Sequence, residues 1–171
     1  MKRTLTLSKI LFQIFRLLSV TYFLIVIYSA FCVLTGFFTD VSENGNFLVI
    51  NFPFTNSSFL NVENNWRYIL FSFIIPLFSY ALFFYLTSNI FLVFLKEKLF
   101  TAQNVKILKK FYFLNFILPL PIAVISMAFV KIIPLIWLLV LIHFIMGIFI
   151  FYLAEIFLQG VKLQNEQDLI I

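Results

Sequence analysis

The sequence predicts an all-α membrane protein: a four-transmembrane-helix bundle with a small extracytoplasmic β-hairpin in its first loop. Three observations lead there. The first is composition: of 171 residues, 63% are hydrophobic and only 11% are charged, against about 45–50% and about 25% in soluble domains. With a mean hydropathy of +1.09, the chain has too little polar surface to cover its core in water and too much apolar surface to remain disordered. The second is that the apolar residues fall into four runs, each long enough to cross a hydrocarbon layer of about 30 Å, which takes roughly 20 residues. The third is the uneven distribution of Lys and Arg between those runs.

The first run extends from Leu17 to Phe38 within a helix expected over about 10–38. Lys2 and Arg3 precede it, as in a secretory signal, but a signal's apolar region spans only about 7–15 residues. The longer run reads as an uncleaved membrane helix. Phe31, directly before Cys32, also spoils a lipoprotein-type cleavage site. Cys32 is the one cysteine, so it forms no intramolecular disulfide and no cysteine zinc site, and reads as a small buried hydrophobe.

The outer loop, 39–67, carries its own pattern. Asn44-Gly45-Asn46 marks a turn, Phe47 to Phe52 a strand, Thr55 to Ser58 a second turn, and Phe59 to Val62 a second strand. The hairpin reads as a structural cap over the helix ends, with a lid or partner-binding surface as the functional alternative. Asn56-Ser57-Ser58 formally matches a glycosylation acceptor, a triplet common by chance.

The second run, Tyr68 to Leu95, gives a helix over about 68–95 with Pro76 inside it. The third, Phe111 to Val130, belongs to a helix expected over about 101–130. Thr101 caps its start, Val105, Leu108, Phe111 and Tyr112 lie on one side, and Lys106, Lys109 and Lys110 on the other. Pro119 and Pro121 predict a kink there, tolerated in lipid where neighbours satisfy the freed carbonyls. The fourth run, Ile132 to Phe157, lies in a helix over about 132–165. Little more than Lys131 separates it from the third, so the two form an antiparallel hairpin, with Pro134 fitting the first turn.

Ten of the twelve Lys and Arg residues fall on one side of this arrangement, leaving Arg67 and Lys131 for the other. Basic residues in short loops stay on the cytoplasmic side. The expected protein is thus a single integral domain over 1–171, multi-pass in the cell membrane, with both termini cytoplasmic. The net charge of +5 reads as this orientation signal, and no direct nucleic-acid binding is expected.

Polar side chains within spans are costly and mark candidate sites. Arg16, Asn89, Asn115 and Glu155 all fall near the cytoplasmic ends of the spans, predicting a polar cluster in which Arg16 pairs with Glu155 and the two Asn bridge helices. The competing reading is separate snorkelling of each side chain to the headgroups. His143 lies deeper and reads as isolated, satisfied by a carbonyl that a proline has freed. Gly147 follows one turn later. No second His exists to share a metal. The catalytic signatures HExxH, GxSxG and the P-loop are absent, and the two aspartates, Asp40 and Asp168, fall on opposite sides. A non-enzymatic protein without a cofactor is expected.

The tail supplies one more pattern. Glu155, Phe157, Gly160, Leu163, Gln164, Glu166, Asp168 and Leu169, together with Phe100, Thr101 and Asn104 before the third span, resemble a family of small bacterial four-helix membrane proteins, the domain of unknown function numbered 2975. Gln167 and Ile170 depart from that pattern, where Asn and Thr are expected. The resemblance implies fold and compartment, and a cytoplasmic partner of the helix-turn-helix regulator type; it implies no reaction. The expected role is that of a bacterial inner-membrane component that binds a partner through the tail from Gly160 to Ile171 and the basic middle loop, with the bilayer and possible copies of itself as further contacts. The alternatives are a small transporter or oligomeric pore using the polar cluster, and an immunity or stress protein protecting the membrane.

Overall fold

The fold is given by a computed structural model, which describes residues 2–131 and 133–168. Four helices dominate it: α1 (Lys2–Thr35), α2 (Trp66–Val93), α3 (Ala102–Met127) and α4 (Leu135–Asp168). All four are long and apolar enough to cross a membrane. Their outward faces carry large apolar side chains such as Leu17, Leu34 and Phe149, an area that water would not tolerate uncovered.

α1 begins at Lys2 rather than near residue 10 and ends where Gly36 takes a left-handed φ of +74°. The Gly36 N–H then donates to the Cys32 carbonyl at 2.9 Å, closing the last turn. Beyond it lies an antiparallel sheet of three strands, β1 (Thr39–Val41), β2 (Phe47–Asn51) and β3 (Ser58–Glu63), in sequence order. The expected hairpin is β2–β3, with Val49 opposite Asn61. β1 is an addition: three residues are too few to show an alternating pattern, and its strand character comes from pairing Thr39 with Ile50. The sheet rests on the ends of α1 and α2, where Ile50 and Val62 bury against Cys32 and Ile69. The Tyr28 hydroxyl donates to the Asn51 carbonyl at 2.5 Å, fastening the sheet to α1.

Packing follows chain order, α1 on α2, α2 on α3, and α3 on α4. The residues that α1 buries are small: Ser8, Ser19, Val26, Ser29 and Cys32. Small side chains let two backbones approach closely, the usual basis of helix association in lipid. Ser19 uses this closeness, its Oγ donating to the Ala81 carbonyl across the interface at 3.0 Å. The Ser29 hydroxyl is buried with no partner. Ser29→Ala is therefore expected to raise stability by up to about 1 kcal/mol by removing an unmet polar group, whereas Ser19→Ala lowers it by about 0.6 kcal/mol. Thermal unfolding of both variants in one detergent checks the opposite signs; shifts in the same direction would refute the assignment.

The main core joins the other three helices. Leu86, Ile90 and Val93 of α2 meet Val105, Leu108 and Phe111 of α3 and Ile150, Ala154 and Phe157 of α4. Gly147 lets α4 close on α3, since a Cβ there would lie 2.8 Å from the Phe116 ring.

The prolines shape the opposite end of this three-helix unit. Residues Ile69–Ile74 of α2 are wound as a π-helix, whose last bond runs from the Ile75 N–H to the Leu70 carbonyl. The next donor in that register is Pro76, which has no N–H. The Phe71 carbonyl it leaves unmet accepts instead from Ser126 Oγ of α3 at 3.3 Å, and the Phe71 and Phe129 rings stack at 4.4 Å beside it. α3 bends at Leu118, directly before Pro119.

Candidate functional site

The two segments carrying the family-like pattern, far apart in sequence, meet in space at one end of the bundle. The meeting is organised by Asn104, which is fully buried. Its Oδ1 accepts from Lys96 Nζ at 2.8 Å, and its Nδ2 donates to the carbonyls of Lys98 at 3.1 Å and Leu99 at 2.8 Å. The Asn104 N–H in turn donates to Thr101 Oγ1 at 3.2 Å, so Thr101 caps α3. One amide thus holds the loop between α2 and α3 against the first turn of α3. No uncapped loop carbonyl is left facing the core at Lys98 or Leu99.

The loop so held carries Phe100 onto α4. Its ring meets the Phe157 ring edge-on, with centroids 5.3 Å apart, and covers Gly160, where any Cβ would intrude on the ring carbons. Gly160→Leu is therefore expected to expel Phe100 and free the loop. Trypsin cleavage at Lys96 and Lys98 should accelerate several-fold while helicity is retained; unchanged cleavage would show that Gly160 is not the seat.

Beyond Gly160 the helix continues, and Glu97 to Phe100 face Gly160, Leu163, Gln164 and Gln167 across an open groove. Leu163 is 61% exposed there, an apolar side chain on the otherwise polar stretch from Lys162 to Asp168. The backbone of α4 reaches Asp168; Leu169, Ile170 and Ile171 lie outside the described residues.

The four polar residues expected to form one cluster stand in three places: Arg16 and Asn89 together, Asn115 with His143, and Glu155 apart from both. Arg16 of α1 lies over the Tyr85 ring of α2, its guanidinium carbon 4.8 Å from the ring centre. Asn89, one turn further along α2, also lies against the Tyr85 hydroxyl. Glu155 is half-buried on α4 and makes no ion pair with Arg16 among the described residues. The reason is the packing order: the partner of α1 is α2, and that of α4 is α3. A cation–π contact with Tyr85 takes the place of the expected ion pair.

Asn115 is buried on α3 and partners His143 of α4, with Oδ1 and Nδ1 2.8 Å apart. Its Nδ2 donates to the Phe111 carbonyl at 2.9 Å. His143 is thus neither isolated nor held by a carbonyl that a proline frees. The Phe83 ring meets the imidazole edge-on at 4.7 Å.

Two participants escaped the sequence reading. Tyr85 stands four residues before Asn89, so helical spacing alone could have found it. Lys96 reaches Asn104 across an irregular loop and leaves no periodic signal. Among the described residues no group of three or more His, Cys, Asp or Glu side chains is placed to hold a metal ion. No protein-family model matches the chain, and no curated protein or solved structure matches it.

Proposed function

We propose that this chain is a non-enzymatic, multi-pass inner-membrane protein of a bacterium that holds a cytoplasmic partner where the middle loop meets the far end of α4. The observation that carries this reading is the length of α4. Its 34 residues extend about 51 Å, against a hydrocarbon thickness of about 30 Å. The surplus emerges as the stretch from Lys162 to Asp168, polar except for exposed Leu163, beside a loop that Asn104 and Phe100 brace. The fully buried core of the bundle ends at Phe157, Leu158 and Val161 pack partly buried against it, and the described residues from Lys162 on take no part in it.

In this reading both termini and the middle loop are cytoplasmic, as the bias of ten basic residues against two supports. The exposed Lys106, Lys109 and Lys110 then attract anionic headgroups at about 1 kcal/mol each and hold α3 at the interface. The resemblance of the loop and tail to the domain of unknown function numbered 2975 is the ground for expecting a helix-turn-helix regulator as the partner. Asn89, Asn115 and Glu155 face different neighbours, so the polar path required by a transporter or pore has no comparable support.

The test is purification in mild detergent from the native membrane of three tagged forms: the full chain, a chain ending at Leu163, and the full chain with Leu163→Asp. The full chain is expected to retain one stoichiometric partner that both altered forms lose, with all three inserting equally. Recovery of all three alone, or retention of the partner by the altered forms, would overturn the proposal.

A further inference from the structure

Between α2, α3 and α4, toward the end of the bundle opposite the tail, lies a cavity of about 220 Å³. Its walls are apolar, with Phe83, Leu86, Ile122 and Val140 among them, and the Asn115–His143 pair stands at one end. Of the other polar side chains that line it, Ser79 Oγ donates to the Ile75 carbonyl and Ser126 Oγ to the Phe71 carbonyl, and the hydroxyls of Ser72 and Tyr80 complete the polar lining.

The hydrogen-bond chain at that end determines what the cavity offers a ligand. The Phe111 carbonyl only accepts, so the Asn115 atom 2.9 Å from it is the amide nitrogen. The amide oxygen then faces His143 Nδ1 at 2.8 Å. An amide oxygen also only accepts, so Nδ1 must carry the hydrogen. No carboxylate lines the cavity, leaving nothing to balance an imidazolium, and a neutral ring with its one N–H on Nδ1 presents Nε2 as a bare lone pair. Nε2 has no partner among the described residues, nor is it sealed from its surroundings. Pro119 adds to the excess of acceptors by offering no N–H to the Asn115 carbonyl.

Largely apolar walls with a bare acceptor at one end select the occupant by chemistry. An ether, ketone or carboxylate would set lone pair against lone pair. We propose that the cavity binds an uncharged lipid-phase alcohol, whose hydroxyl donates to His143 Nε2 while its hydrocarbon chain lies along the apolar walls. At roughly 30 Å³ for each water-sized share of volume, the cavity accepts the head and first several carbons, and the rest of the chain trails into the bilayer. This inference is independent of the docking proposed for the tail.

His143 is the one histidine of the chain, so ¹⁵N-histidine labelling of the full protein in phosphatidylcholine nanodiscs gives the two ring nitrogens of a single site. The probes are 1-decanol and 1-methoxydecane, matched in chain but differing in the ability to donate. The free protein is expected to show the Nδ1–H tautomer. Decanol should move the Nε2 signal saturably toward the hydrogen-bonded range, and the methyl ether should not. Ala123→Phe, which fills the cavity without touching the pair, should abolish the decanol response while preserving the tautomer. An Nε2–H tautomer in the free protein, no shift at saturating decanol, or equal shifts with both probes would each overturn the proposal. If the Ala123 variant fails to fold, the decanol–ether comparison in the unaltered protein decides alone.

Discussion

Asn104→Leu is expected to free the middle loop and cost about 2–4 kcal/mol, because a buried hydrogen-bonding hub is replaced by a side chain that can pair with nothing. Asn104 is wholly buried and bonds to Lys96, Lys98, Leu99 and Thr101. Leucine is of similar size, so little packing volume is lost. The loss is polar: the Lys98 carbonyl and the Lys96 ammonium group must either find water or remain unmet, while the Leu99 carbonyl keeps only the Thr101 N–H. Equilibrium unfolding in detergent measures the cost, and trypsin cleavage at Lys96 and Lys98 reports the loop. Asn104→Asp separates the contributions, since a carboxylate keeps Lys96 but opposes the Lys98 and Leu99 carbonyls. It is expected to fall between the native chain and the leucine variant. Native-like behaviour of Asn104→Leu would mean that Phe100 on Gly160 holds the loop by itself. Under the proposed function, the same variant also loses the partner, because the groove beside Leu163 loses its second wall.

Phe111→Ala is the second large effect, about 2–4 kcal/mol. Phe111 is fully buried where α2, α3 and α4 meet, with its ring 6.0 Å from Phe83. In lipid the transfer contribution to such a substitution shrinks, because the surrounding medium is itself apolar. The loss of packing and the residual cavity remain. The helices should stay inserted while their association weakens, seen as a lower unfolding midpoint at constant helicity. The carbonyl that Asn115 uses belongs to the Phe111 backbone, so the His143 tautomer should survive the substitution. Loss of the tautomer together with stability would mean that the Asn115–His143 pair depends on core packing and not on the helix backbone.

These effects concentrate in α2, α3 and α4, and the contrast with α1 is physical. α1 is attached to α2 through a buried seam of serines, a valine and a cysteine flanked by ring contacts of Phe15, Tyr22 and Phe23, and through the sheet above it. The other three helices share one cluster of buried large side chains, to which α1 adds none. Substitutions along α1 are therefore expected to act locally, and those at Phe111 on the association of three helices.

Much of the architecture was legible because its signals are local. A run of apolar residues is recognised without its neighbours in space, as are the turn residues that separate β2 from β3 and the cap at Thr101. Pro76 could be placed inside a helix, and the need for a substitute donor anticipated. That the donor is Ser126, and that the carbonyl is that of Phe71 through a π-helical turn, depended on how α2 and α3 rotate against each other.

The sequence by itself determined the count of apolar helices, their approximate extent, the two longer strands and the sidedness of charge, because each is written in the spacing of nearby residues. Tertiary structure alone decided which polar groups meet. Arg16 and Glu155 were expected at one depth but stand on helices that do not pack together, so Arg16 meets Tyr85 instead. His143 and Asn115, read separately, form a pair because α3 and α4 close at Gly147. Asn104 became central only when the loop folded back over it. Depth in a membrane follows from counting residues, whereas partnership follows from helix rotation and order, which the packing of small and large side chains sets.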